Sequence, residues 1–219
     1  MNYLVWQLID SAFPSGGFAH SGGLEATVQH GRVTDADSAH AFARQALAQT
    51  GRSALPIVTA SHRCQESLGE LDHLSDLFLS NPVANRASRA QGRALLTSVA
   101  RSFRGGDVET LETRIRVEGL GGHYAPLFGR LFSALGIEMA DTQRAYLFIS
   151  ARGVSSAAVR LGIMGAFEAQ AMLAELTAHI DAIVRDCGEL LPDHIAQTAP
   201  FIDLFQATQD RLYSRLFQS

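Results

Sequence analysis

Asp10 to Glu25 reads DSAFPSGGFAHSGGLE, and these sixteen residues decide how the rest of the chain is divided. Four glycines (Gly16, Gly17, Gly22, Gly23), Pro14 and three serines are interleaved with Phe13, Phe18 and Leu24. Glycine enters backbone regions closed to other residues, while proline fixes its own φ and pushes the residue before it out of the α region. One continuous helix is therefore excluded. The stretch predicts a helix stopping near Ser11 or Ala12, a loop pinned by its aromatics, and a second helix starting between Ser21 and Leu24, with Ser21 as its cap. Connections that only join helices are shorter and more polar. Pro14, Gly16, Gly17, His20, Ser21, Gly22 and Gly23 thus read as a structured loop with work to do at a surface.

Outward from this loop the pattern is helical throughout. Tyr3 to Asp10 is apolar at positions 4, 5, 8 and 9. Leu24 to His30 gives two turns, and Thr34 or Asp35 caps a helix expected to end at Gly51, with Ala39, Phe42, Ala43, Ala46 and Leu47 inward. Further helices are expected over Leu55 to Leu68, Glu70 to Leu79, Ala84 to Phe103, Val108 to Val117, Tyr124 to Leu135 and Asp141 to Ala151. Ser155 to Asp186 is the longest pattern, and its alanines and glycines suggest a tightly packed central helix. A last helix is expected from Pro200 to Phe217, with Phe201, Leu204, Phe205, Leu212 and Leu216 as its apolar stripe. No alternating run argues for a sheet. The expectation is all-α: a single compact domain over residues 1–219, a bundle of about eight to eleven helices. In it, 1–23 forms the N-terminal helix and glycine-rich loop, and 200–219 a partner-docking helix or tail.

Composition narrows the function. The 219 residues are 47% hydrophobic and 18% charged, enough for a large core and sparing in surface charge. A net charge of −4 argues against a general nucleic-acid binder. All eighteen basic residues are arginine, which excludes a P-loop lysine and Schiff-base chemistry. Cys64 and Cys187 stand far apart, as reduced thiols do. The N-terminus has no signal-peptide pattern, and no stretch reaches the roughly 18 apolar residues of a membrane span, so a cytoplasmic location and no membrane are expected.

No catalytic constellation is visible. The eight histidines form no HxxxH, HxH or Cys/His cluster, so no metal site is expected. Ala19-His20-Ser21-Gly22-Gly23 imitates a nucleophile elbow, but the strand that such an elbow requires is missing; a serine hydrolase using Ser21 and His20 is the alternative reading. Two surfaces look made for contact. Arg86, Arg89, Arg93, Arg101 and Arg104 share a helix face that is either solvated or set against an acidic partner. Arg211, Leu212, Tyr213, Arg215, Leu216 and Phe217 put hot-spot residue types in a tail that would ordinarily be polar.

Four segments carry a family resemblance: LIDSAFPSGGFAHSGGLEATVQ (Leu8 to Gln29), NRASRAQGRALL (Asn85 to Leu96), SSAAVRLGIMG (Ser155 to Gly165) and DRLYSRLFQS (Asp210 to Ser219). In this order they resemble the urease accessory protein UreF. The resemblance implies an all-helical, non-enzymatic factor without a cofactor of its own. It further implies a homodimer that joins UreD (UreH in some species) and the GTPase UreG on urease apoprotein, coupling GTP hydrolysis to nickel insertion. By position, Glu25 and Arg160 match residues that meet the GTPase, and Arg211 with Leu212 to Phe217 match a tail that docks into UreD/UreH. The chain departs from the family pattern at Gln209-Asp210, where His-Glu is frequent, and at Gly165-Ala166, where glycine-glutamine is.

Overall fold

A computed structural model describes residues 3–64, 67–103 and 106–219, without the side chains of 106 and 107. Ten α-helices and no strand occur among the described residues. They are α1 (Tyr3–Ile9), α2 (Leu24–Gln29), α3 (Ala36–Arg63), α4 (Leu68–Phe78), α5 (Pro82–Ser102), α6 (Gly106–Glu118), α7 (Tyr124–Ala134), α8 (Met139–Arg160), α9 (Ala166–Cys187) and α10 (Pro200–Ala207). The all-α expectation holds. Arg104 of the expected arginine face, and Gly105, lie outside the described residues.

The central rod is α3, not the segment after Ser155. Asp35 caps it, its carboxylate accepting from Ser38 N while the Ser38 hydroxyl returns to the Asp35 backbone. The helix then runs 28 residues, through the Gly51 expected to stop it, and takes in most of the separate helix expected from Leu55. Gly51 is there for closeness: a Cβ on it would stand 2.3 Å from Ile183 Cγ2. Pro56 leaves the Arg52 carbonyl without its helical donor, and Ala196 N supplies one at 3.0 Å. Gly129 lets α7 approach just as tightly, since a Cβ there would meet Val58 O at 2.2 Å.

The supposed long helix from Ser155 to Asp186 is two helices. Gly162 turns left-handed at φ 72°, which ends α8, and α9 restarts after Gly165. Likewise, the last predicted helix stops at Ala207, with a 3-10 turn over Gln209–Arg211 and an irregular tail beyond. Its expected apolar stripe faces outward at Phe201, Leu204 and Leu216; Ile202 and Gln206 are the buried positions of α10.

Two hydrophobic clusters result. One gathers Leu24, Phe42, Leu47, Leu55, Leu147, Leu176, Ile180 and Phe217 from α2, α3, α8, α9 and the tail. The other gathers Leu8, Val58, Leu71, Leu95, Leu127, Phe128 and Phe132 from α1, α3, α4, α5 and α7. Helices α3 and α8 contribute to both.

Candidate functional site

The glycine loop and the C-terminal segment form one object. Phe13 stacks on Phe103 with ring centroids 6.4 Å apart, and Pro14 O accepts from Ser98 Oγ, so the loop is fastened to α5. Gly16 is left-handed at φ 77° and opens a 3-10 turn over Gly17–Ala19. Phe18, expected to pin the loop inward, is largely exposed and lies over a guanidinium instead. Gly22 and Gly23 are both left-handed, at φ 61° and 90°. Gly23 occupies the cap position of α2, while the Ser21 hydroxyl still accepts from the first-turn Glu25 N at 3.3 Å. A Cβ on Gly23 would press on Gln206 Cβ at 3.1 Å.

The tail returns across this loop. Ala19 O accepts from Gln218 N at 2.8 Å, and Ser219 O accepts from Ser21 N at 2.5 Å and from Ser21 Oγ at 2.9 Å. His20 Nδ1 meets Ser219 Oγ at 2.6 Å. Burial and the nearby Arg86 cation hold the His20 imidazole below its ordinary value, in the neutral form.

Glu25 is the hub of this clasp. It is only 1% exposed. One carboxylate oxygen accepts from Leu216 N at 2.6 Å; the other accepts from Phe217 N at 3.1 Å and Gln209 Nε2 at 2.6 Å. A carboxylate inside a protein needs such donors, and those around Glu25 are amides rather than a cation. Arg160 closes the other side. It donates to Phe18 O at 2.6 Å and Leu216 O at 3.4 Å, with its Cζ 4.0 Å from both the Phe18 and Phe217 ring centroids. Asp210 accepts from Arg86 at 2.7 Å and from Arg215 at 3.2 Å.

The predicted site residues therefore divide. Glu25, Arg160, His20, Ser21 and Phe217 converge, with Phe217 buried in the clasp. Arg211, Tyr213, Arg215 and Leu216 face solvent, Tyr213 wholly, and Leu212 is half-buried. Gln209 and Ser219 also belong to the clasp, Gln209 at a position where the chain departs from the family pattern and Ser219 at the end of the resembling tail segment.

The arginine face of α5 is engaged largely within the chain. Arg86 pairs with Asp210, Arg89 with Asp76, and Arg93 Nε donates to Gly121 O at 3.1 Å. Arg89 belongs to a polar knot the sequence reading missed. Asp72 accepts from Gly121 N at 2.6 Å and His123 N at 2.8 Å. Asp76 accepts from Asn85 and Arg89, which hold its carboxyl well below the usual range. Burial pushes the His123 imidazole down, against the pull of Asp72 and Asp76. The signal was present: Asp72 and Asp76 sit one turn apart on α4, facing the arginines of α5.

Neither serine cluster presents an unengaged serine–histidine pair. Ser88 Oγ lies 3.1 Å from His123 Nδ1, whose Nε2 is 3.3 Å from Asp76, in triad order. Yet Tyr124 N donates to that hydroxyl at 3.1 Å, and His123 is 1% exposed, so the oxygen is engaged and its base sealed. Ser21 Oγ donates to Ser219 O, and His20 contacts Ser219 rather than Ser21, so the expected dyad does not form. Among the described residues no group of three or more His, Cys, Asp or Glu is placed to hold a metal ion, and no helix is long and apolar enough to cross a membrane.

The family model for UreF matches residues 33–177. The chain belongs to the UreF family. It is 35% identical to urease accessory protein F of Arabidopsis thaliana, covering all of this chain and 93% of that one. Urease accessory protein F of Oryza sativa subsp. indica is also 35% identical, over 97% of this chain and 83% of the rice protein. The UreF of Trichodesmium erythraeum is 29% identical, over 97% and 94%. UreF membership makes a role in urease maturation the chain's coarse function.

Proposed function

We propose that this UreF-family chain is a non-enzymatic adaptor in the cytoplasm. In this reading it works as a homodimer, together with UreD/UreH and the GTPase UreG, on urease apoprotein. Nickel is the cargo of that complex and GTP is bound by the GTPase, so the chain needs no cofactor of its own. The observation that carries the reading is the clasp: a buried Glu25 holding the tail by its main chain, with the Tyr213 and Leu216 side chains left outward. Large apolar and aromatic side chains on a positioned backbone are what a protein partner uses as anchors.

The two partner roles divide along the same line. Tyr213, Leu216, Arg211 and Arg215 face outward for UreD/UreH, with Leu212 half-buried beside them and Phe217 as the inward peg that sets their position. Arg160 and the rim of the clasp face the GTPase. Glu25 supports that face from beneath, because its carboxylate is covered by the tail it holds.

Copurification with the cognate UreD/UreH and UreG tests this. Tyr213→Ala with Leu216→Ala should lose UreD/UreH while retaining helicity, and removal of residues 212–219 should do the same. Glu25→Ala should recruit the GTPase more weakly without unfolding the chain. Unchanged capture of UreD/UreH by both tail variants would overturn the assignment, as would turnover of a small molecule by the isolated chain.

A further inference from the structure

The tail carries more positive charge than the chain pairs. Arg211 forms no ion pair among the described residues, and the ion pair of Arg215 is with Asp210. That carboxylate is already engaged. Arg86 Nη2, reaching across from α5, donates to both of its oxygens, at 2.7 and 2.9 Å. Arg215 Nη1 approaches one of the same oxygens at 3.2 Å. Two guanidinium groups thus share one carboxylate, and the shorter contacts belong to the one on the helix.

The Arg86–Asp210 pair adds little to the hold on the tail. Both side chains are about half exposed, where water screens an ion pair and its contribution to stability is small. The main chain of the tail is held elsewhere: Gln29 Nε2 donates to Ser214 O at 2.8 Å, and Glu25 accepts from Leu216 N and Phe217 N.

What the pair changes is the state of Arg215. A guanidinium has five N–H donors. Arg215 spends one of them on Asp210, in a long contact, and is itself about half exposed. It stands between Tyr213 and Leu216, the two large side chains that the tail turns outward. Apolar anchors flanking an unspent guanidinium fit a protein surface that offers an apolar recess edged by a carboxylate, because such charge pairs strengthen once an interface excludes water. Without Arg86, Asp210 would be free to close on Arg215 and use up the same donors.

We propose that Arg86 is a positioning residue for partner docking: by occupying Asp210 it keeps the Arg215 guanidinium open for a carboxylate on UreD/UreH. This role rests on the tail docking proposed above. It adds the chemistry of the partner's face and a working part on α5, far from the tail in sequence.

The affinity of the full chain for the cognate UreD/UreH, measured by biolayer interferometry, tests this, with Tyr213→Ala/Leu216→Ala as the reference for loss. Arg86→Met should weaken binding about tenfold. Arg86→Met/Asp210→Asn should return to within about threefold of wild type, because the competing carboxylate leaves together with the group that restrained it. A pair that merely anchored the tail requires the opposite, a double variant as weak as the single one. A double variant no better than Arg86→Met therefore overturns the proposal, as does wild-type affinity in Arg86→Met. If Arg86→Met fails to fold, Asp210→Asn decides: removal of the competitor must not weaken binding, and a loss overturns the proposal. Full affinity in the Tyr213→Ala/Leu216→Ala reference removes the docking reading and this role with it. Loss in the reference with none in Arg86→Met removes this role alone.

Discussion

Asp72 and Glu25 are both buried carboxylates whose oxygens accept two main-chain amides, yet they serve different kinds of structure. Asp72 binds Gly121 N and His123 N, stapling a glycine turn between α4 and α5. That turn is walled in: a Cβ on Gly92 would lie 2.1 Å from Gly122 O. Glu25 binds Leu216 N and Phe217 N, within three residues of Ser219 and beside a rim of exposed side chains. If the first bond pair is lost, the freed amides stay buried. If the second is lost, the tail can swing into water and satisfy its own amides there. The same chemistry makes a permanent staple in one place and a releasable latch in the other.

Four measurements would break or sharpen that contrast. Asp72→Ala should have the largest effect, about 3 kcal/mol of unfolding free energy in a urea titration, since two buried N–H groups lose their acceptor. A loss no larger than that of a surface substitution would remove the distinction. Glu25→Ala should cost less, about 1–2 kcal/mol, because the tail can hydrate. Its mark should be local: trypsin cleavage after Arg211 and Arg215 should rise about tenfold while far-ultraviolet circular dichroism stays unchanged. Equal protection of wild type and variant would show that the latch does not hold the tail.

Acid should act on both regions. His20 and His123 both titrate below their ordinary value of 6.5 in the folded chain, chiefly through burial. The unfolded chain therefore takes up these protons first. The stability the two histidines contribute is complete above about pH 6.5 and drains as pH falls toward their folded values. Tail cleavage should increase between pH 7 and 5 before the helices melt, and His20→Gln should flatten that rise. A rise in stability on acidification would reverse the sign. The smallest effect is expected from Arg160→Lys, which keeps the charge but loses the planar stack between Phe18 and Phe217. About 1 kcal/mol and a modest gain in tail cleavage should follow.

The sequence was most legible where a signal is local. The Asp35 cap, the stripe of Ala39, Phe42, Ala43 and Leu47, and the all-α class all follow from spacing and capping, and the structure contains them. It was least legible where a distant residue decides. Gly51 reads as a break because nothing local says that Ile183 needs the missing Cβ, and nothing local says that Ala196 replaces the donor missing at Pro56. Gly162 reads as helix interior, although its left-handed turn is what separates α8 from α9. In the site, the glycine loop and the apolar tail were each visible. Their meeting was not, because Ser21 and Ser219 are 198 positions apart. Phe217 looked like an outward anchor by residue type; the clasp turns it inward and leaves Tyr213 outside.

The uninterrupted course of α3 has a consequence for how the molecule comes apart. Its first half lines one hydrophobic cluster with Phe42 and Leu47, and its second half lines the other with Ile57 and Val58. A single rod serving as wall to both leaves no seam along which either can melt alone. Heating should accordingly give one calorimetric transition spanning the whole chain, and a fragment cut within α3 should hold neither half together.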